Sequence, residues 1–249
     1  EHIVYVSAHD NETIFDTVQL KAPTTTTAAD RVRIQNLALD FVMLSQGVPF
    51  FHAGDDILRS KSLDGNSYNS GDWFNAIDWT YQSNNWGIGL PPSWTRGDNW
   101  GIYRPLLANP NLTVGEEEIL AANAHFREML QIRFSSPLFR LQTADEIMAR
   151  VTFDNTGPDQ IPGLIVMTLN DSDGENLDPN YGLITVFFNA TTEPITFTRE
   201  DLISYPFELH PIQAASSDPI VQGASFDVDT GVFTIPARTT AVFVIPDSQ

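Results

Sequence analysis

His9, Asp10, Asn11 and Glu12 set an imidazole, an amide and two carboxyl groups side by side. Two carboxyls so close together are the equipment of acid–base or nucleophilic chemistry, with Asp10 readable as nucleophile and Glu12 as acid. The same residues also suit an ordinary surface turn. A second acidic pair, Asp55 and Asp56, follows Gly54. All 5 tryptophans (Trp73, Trp79, Trp86, Trp94 and Trp100) fall in one stretch, flanked by Tyr68, Tyr81 and Tyr103. Disordered loops do not normally carry so much aromatic area.

Both acidic groups follow apolar runs. Ile3 to Ala8 predicts a strand that opens into His9–Glu12, and Val48 to Ala53 predicts another that ends at Gly54. Between them, Asp30 is placed to cap a helix with Ile34, Leu37, Ala38, Phe41, Val42 and Leu44 near helical spacing. Strand, helix, strand is a βαβ unit, which sets the two acidic clusters side by side on one rim. Leu58 to about Asn111 shows no clear periodicity and reads as a functional loop. Glu116 to Phe134 predicts a helix with three glutamates in its first turn and Ile119, Ala122, Phe126, Leu130 and Phe134 as its apolar stripe.

After Pro137 the pattern becomes short strands with Gly, Pro, Asp and Asn between them: Met148–Phe153, Gly163–Asn170, Gly182–Asn189, Ile195–Phe197, Phe226–Val228, Gly231–Ile235 and Thr240–Ile245. An antiparallel sandwich follows from that punctuation, with a boundary near Leu141. Asp171, Asp173, Gly174 and Glu175 lack the spacing of an EF-hand loop and read as a solvated turn.

The 249 residues suffice for one large or two ordinary domains, and 42% hydrophobic content argues against global disorder. The net charge of -19 repels nucleic acid and anionic lipid and makes an anionic substrate a poor match. A neutral ligand such as a sugar fits it. The absence of cysteine removes disulfides, thiolate metal sites and thiol nucleophiles. No apolar run is long enough to span a bilayer. The abrupt start at Glu1, two residues before a strand-like run, reads as a fragment or a product of processing.

The run YVSAHDNETIFD, from Tyr5 to Asp16, resembles the seventh barrel strand of the pullulanase and limit dextrinase group of the alpha-amylase superfamily. The stretch from Gln46 to Pro92, with QGVPFFHAGDDILRSKSLD, SYNSGDWFNAIDWTY and NNWGIGLPP, matches the same group more specifically. The resemblance covers nearly the whole chain and is least specific after about Arg140. It implies the C-terminal part of a (β/α)8 TIM barrel, strands seven and eight with their helices, over residues 1–140. An antiparallel β-sandwich then occupies residues 141–249.

The activity implied is hydrolysis of alpha-1,6 linkages in pullulan, limit dextrin or starch, with retention of configuration. The nucleophile Asp and acid/base Glu of that group lie on strands four and five, outside this chain, so the isolated chain is expected to be inactive. The resemblance instead makes Asp10 the carboxylate that stabilises the transition state, with His9 beside it. Asn11, Asp72, Trp73, Asn75, Asn84, Asn85 and Trp86 are the implied substrate-binding residues. Asp55 and Asp56 stand where many relatives have Ser-Glu or Gln-Glu, which leaves their roles open. Arg59 and Lys61 read as loop organisers. No cofactor is required for the chemistry, no metal site is fixed, and a structural calcium is compatible with the group. The expected partners are an alpha-glucan and the N-terminal remainder of the barrel, with neither nucleic acid nor membrane. An extracellular or cell-surface location is favoured, and a cytoplasmic one tolerates the same composition. The competing readings are a non-catalytic carbohydrate-binding or scaffold protein and an amylopullulanase with alpha-1,4 activity.

Overall fold

The computed structural model describes residues 2–172 and 175–246. Asp173 and Gly174 of the acidic turn lie outside them. The chain divides into two compact units, one of Ile3–Val42 with Pro49–Arg127, the other of His2, Met43–Val48 and the chain from Glu128 on.

The elements begin with β1 (Ile3–Val4), α1 (Ile14–Lys21), α2 (Ala28–Leu44) and β2 (Val48–Pro49). Thr13 starts α1 by accepting the Asp16 N–H, and Ile14, Phe15 and Val18 form its buried face. The sequence reading passed over this short helix. Thr27 rather than Asp30 caps α2: its hydroxyl accepts the Asp30 N–H and donates to the Asp30 carboxylate.

β1 and β2 pair as a two-stranded sheet. The Val48 N–H donates to the His2 carbonyl and the Phe50 N–H to the Val4 carbonyl, so both strands advance together and run parallel. The expectation of a TIM-barrel piece is corrected here. Each strand is two residues long, and among the described residues no sheet closes into a barrel. The physical reason is local. Beyond Val4 the chain leaves the ladder, and the Ser7 hydroxyl donates instead to the Asp55 carboxylate, which also takes the His52 N–H. The fold is a mixed α/β arrangement with antiparallel sheets.

The long stretch after β2 carries α3 (Asp72–Asn75), α4 (Ser93–Arg96) and α5 (Trp100–Leu107), and α6 (Glu116–Ser135) follows. Its order comes from packing. Ile57, Leu58, Val114, Ile119 and Ala122 join Phe15 and Val32 in one core, with Ile77, Tyr81 and Trp86 laid against it.

Then come α7 (Ala144–Arg150), β3 (Val151–Phe153), β4 (Leu164–Asn170), β5 (Tyr181–Asn189), β6 (Ile195–Thr198), β7 (Glu208–Leu209), α8 (Pro211–Ala214), β8 (Ser225–Asp227), β9 (Val232–Ile235) and β10 (Thr239–Pro246). They form a five-stranded sheet, β3-β4-β5-β10-β7, and a three-stranded sheet, β6-β9-β8. The ladders are antiparallel, with Phe187 opposite Ala241 and Val166, and Phe197 opposite Phe233. Phe187, Phe233 and Phe243 are fully buried and meet edge-on or tilted, at ring separations of 4.8, 5.1 and 5.8 Å. Apolar faces from both sheets thus share one core, as in a sandwich.

Two local expectations fail in this unit. Met148 lies in α7, not in a strand, because Thr143 and Glu146 form a reciprocal capping box that starts a helix. Thr143→Ala is expected to cost about 1 kcal/mol, measured as a lower midpoint in chemical unfolding. Asp171 is not in a solvated turn. It is buried, accepts the Leu177 and Asp178 N–H groups, and pairs with the Arg150 guanidinium.

Candidate functional site

The His9–Glu12 turn projects from the unit that holds α1. The His9 and Asp10 side chains are exposed, 84% and 85%, with the imidazole Nδ1 3.3 Å from the Asp10 carboxylate. Asn11 takes a left-handed backbone at φ 62, a conformation that costs a residue with a side chain more than glycine. Beneath the turn, the Lys61 ammonium donates to the carbonyls of His9 and Asn11 at 3.0 and 2.5 Å.

Asp10 and Asn11 line an open pocket of about 390 Å³ with Gly65, Asn66, Thr95 and Arg96. Its rim offers a carboxylate, two amides, a hydroxyl and a guanidinium. Donors and acceptors in such a mixture suit a neutral, polyhydroxylated molecule better than an ion of one sign. Glu12 stands behind the rim, 3.5 Å from the Arg96 guanidinium. The pair passes over Gly65. A β-carbon there would lie 2.7 Å from the Glu12 carboxylate and 2.3 Å from Arg96. A side chain at 65 would therefore push the tips of Arg96 and Glu12 from their present places.

Asp16 anchors the Ser60–Leu63 segment. It is fully buried and accepts from the Ser60 hydroxyl at 2.5 Å, the Lys61 N–H at 2.8 Å and the Leu63 N–H at 3.3 Å. Burial outweighs these bonds and pushes its carboxyl up to about 6. Asp55 behaves alike: burial raises it to about 6 despite bonds from Ser7 and the His52 N–H. Asp56 is raised by burial and holds the Asn123 amide at 2.8 Å. Arg59 donates to the Ala53 and Asn75 carbonyls, and burial of the adjacent His52 imidazole, helped by the Arg59 charge, lowers it to about 4. These groups are bound into the scaffold and are not free to meet a ligand.

The remaining residues singled out in the sequence do not line the pocket. Asp72 and Trp73 are exposed in the short α3, Trp73 by 63%. Asn75 exchanges hydrogen bonds with Ser67 through both ends of its amide. Asn84 is buried and donates to the Leu58 carbonyl. Asn85 donates to the Trp73 carbonyl. Trp86 stands edge-on to Phe15 at 5.7 Å, in the core beneath the loop. The sequence reading missed Gly65, Asn66, Thr95 and Arg96. The available signal was Arg96, one of 13 basic residues in a strongly acidic chain, set among the tryptophans.

Among the described residues no three His, Asp or Glu side chains gather into a metal-binding group, and no helix is long and apolar enough to cross a membrane.

Residues 81–246 match the family described as alpha-1,6-glucosidases, pullulanase-type, C-terminal. The chain is 51% identical to Pullulanase 1, chloroplastic, of Arabidopsis thaliana over 98% of its length and 26% of that protein's. It is 37% identical to a pullulanase of Klebsiella pneumoniae, over 100% of this chain and 23% of that protein. The chain thus spans about a quarter of the length of these relatives. The structure of the maltotriose complex of PulA from Klebsiella pneumoniae superposes with a TM-score of 0.93 at 38% identity, covering 99% of this chain and 26% of that one. A family match over two thirds of the residues, on a fold shared nearly end to end, makes this chain a member of the pullulanase-type alpha-1,6-glucosidases.

Proposed function

We propose that the protein carrying this chain is a debranching glycoside hydrolase that cleaves alpha-1,6-glucosidic linkages in pullulan, limit dextrin or starch with retention of configuration. The observation that supports it is the polar pocket that Asp10 and Asn11 share with Arg96, in a chain of this family. A maltotriose complex of a 38% identical relative makes a short alpha-glucan the ligand to test first.

Retention requires two carboxyl groups about 5–5.5 Å apart, one attacking the anomeric carbon and one protonating the leaving oxygen. In this reading neither belongs to the present chain. Asp16 and Asp55 are buried in structural bonds, and Asp56 is tied to Asn123. The nucleophile and the acid come from other parts of the longer protein. Asp10 grips the hydroxyls of the sugar undergoing cleavage, and His9 supports it. As the ring flattens toward an oxocarbenium ion, those hydrogen bonds strengthen, and that difference makes the contact catalytic. Arg96, oriented by Glu12, donates to hydroxyls from the opposite wall. Trp73 offers an exposed face for stacking at the edge of the loop. No step in this scheme needs a metal.

Release of reducing ends from pullulan tests the reading. The full gene product is expected to be active and the 249-residue chain alone inactive. Comparable activity in the isolated chain would overturn the assignment of the bond-breaking groups. Activity in neither would favour a binding protein.

Gly65→Ala gives a narrower test. The new β-carbon must displace Arg96 and Glu12, so maltotriose affinity is expected to fall about 10-fold, roughly the loss of one charge-assisted hydrogen bond. Isothermal titration would read it, and unchanged affinity would remove this wall from the binding site.

A further inference from the structure

Lys61 is among the most deeply buried large side chains of the protein, 1% exposed. A buried ammonium is costly, and burial lowers its proton affinity, with the Asp16 charge opposing that shift. An apolar residue would fill the same space without this cost. What the ammonium does supply is two hydrogen bonds, both to carbonyls of the turn that carries Asp10. Those carbonyls flank Asp10 on its two sides. The second belongs to Asn11, whose backbone is left-handed at φ 62.

The base of Lys61 is fixed as firmly as its tip. Its N–H donates to Asp16 within a segment where Leu58, Ser62 and Leu63 also take left-handed conformations, at φ 59, 51 and 66. Asp16 holds that segment at three points, Ser60, Lys61 and Leu63. A continuous chain of bonds therefore runs from the first turn of α1, through Asp16 and Lys61, to the backbone on either side of Asp10.

From this geometry we infer that Lys61 is a positioning residue for the reaction: it sets the height and direction of the His9–Asn11 turn, so that Asp10 and Asn11 present their side chains into the pocket. It touches no substrate. The inference rests on the role proposed for Asp10, and its test separates the two. Four forms of the full gene product are compared on pullulan: the natural sequence, Lys61→Met, Asp10→Asn and the double variant. Lys61→Met keeps the unbranched apolar stem, one atom shorter, but removes the donors. It is expected to lower kcat about 10- to 100-fold, the cost of a small misplacement of a catalytic group, with KM little changed. In the Asp10→Asn background the same substitution is expected to cost less than about 3-fold, because the group it positions is already disabled.

Equal factors in both backgrounds would overturn the inference and leave Lys61 a structural residue. An Asp10→Asn variant of undiminished turnover would overturn the role of Asp10, and the role of Lys61 with it. Should Lys61→Met not fold, Lys61→Arg serves the same cycle. It keeps the charge but cannot present its donors at one point, so a smaller loss with the same collapse in the Asp10→Asn background is expected. Amide hydrogen exchange at Asp10, Asn11 and Glu12 supplies a readout independent of hydrolysis. Faster exchange in either Lys61 variant supports the inference, and unchanged exchange overturns it.

Discussion

Asp10→Asn in the full gene product is expected to lower kcat on pullulan by about 100- to 1,000-fold, the range for removing one preorganised contact to a charge-developing centre. The substitution keeps the shape of the side chain and its 3.3 Å neighbour His9. It removes the negative charge that a sugar hydroxyl senses most strongly as the ring becomes cationic. Ground-state binding depends on the whole rim of the pocket, five residues besides Asp10, so KM is expected to move by only about 2- to 3-fold. A loss in KM alone would make Asp10 an adhesive contact. Unchanged turnover would remove it from the chemistry. Because Asp10 is exposed and its carboxylate bears no fold-supporting bond beyond His9 among the described residues, the variant is expected to unfold at the natural midpoint, which keeps the kinetic reading clean.

The parts of this site that were legible in sequence are those that depend on neighbours in the chain. The His9–Glu12 turn announced itself because polar groups interrupt an apolar run. The parallel crossover and the antiparallel sandwich followed from periodicity and punctuation. What escaped depended on partners far along the chain. Ile3 to Ala8 has the composition of a six-residue strand, but a strand persists only while a neighbour pairs with it, and at Ser7 the partner is the Asp55 side chain. Closure into a barrel is a statement about many pairings at once, and two residues in each of two strands do not provide it. Arg96 reaches the pocket through an ion pair with a residue 84 positions earlier, which no local pattern encodes. By contrast, α7 was legible and passed over, since Thr143 and Glu146 have the spacing of a capping box. Asn75, Asn84 and Asn85 spend their amides on loop carbonyls, the usual duty of a polar residue in a long irregular segment whose backbone groups must be satisfied.

Asp16 carries the second large effect, on stability rather than turnover. Asp16→Ala would leave the Lys61 and Leu63 N–H groups and the Ser60 hydroxyl without their acceptor in a fully buried place. Unsatisfied buried donors cost about 1–3 kcal/mol each, and removing a costly buried carboxylate returns part of that sum, so a net loss of roughly 3 kcal/mol is expected near neutral pH. The pH dependence fixes the cause. The carboxyl of Asp16 is raised to about 6 in the folded protein from an ordinary value of 3.8. The folded state therefore binds this proton more tightly than the unfolded state. The associated stabilisation is complete below about 3.8 and is lost as pH rises through about 6. Alanine has no such proton, so the penalty of the substitution is expected to grow as pH falls from 7 to 4. Asp55, raised to about 6 by the same cause, stays in the variant and keeps its own share of the slope. Hydrogen exchange at the Lys61 and Leu63 amides, measured at pH 5 and pH 7, would read the local loss directly. A penalty independent of pH would show that Asp16 is not buried as a perturbed acid, and protected amides in the variant would show that it does not hold this segment down.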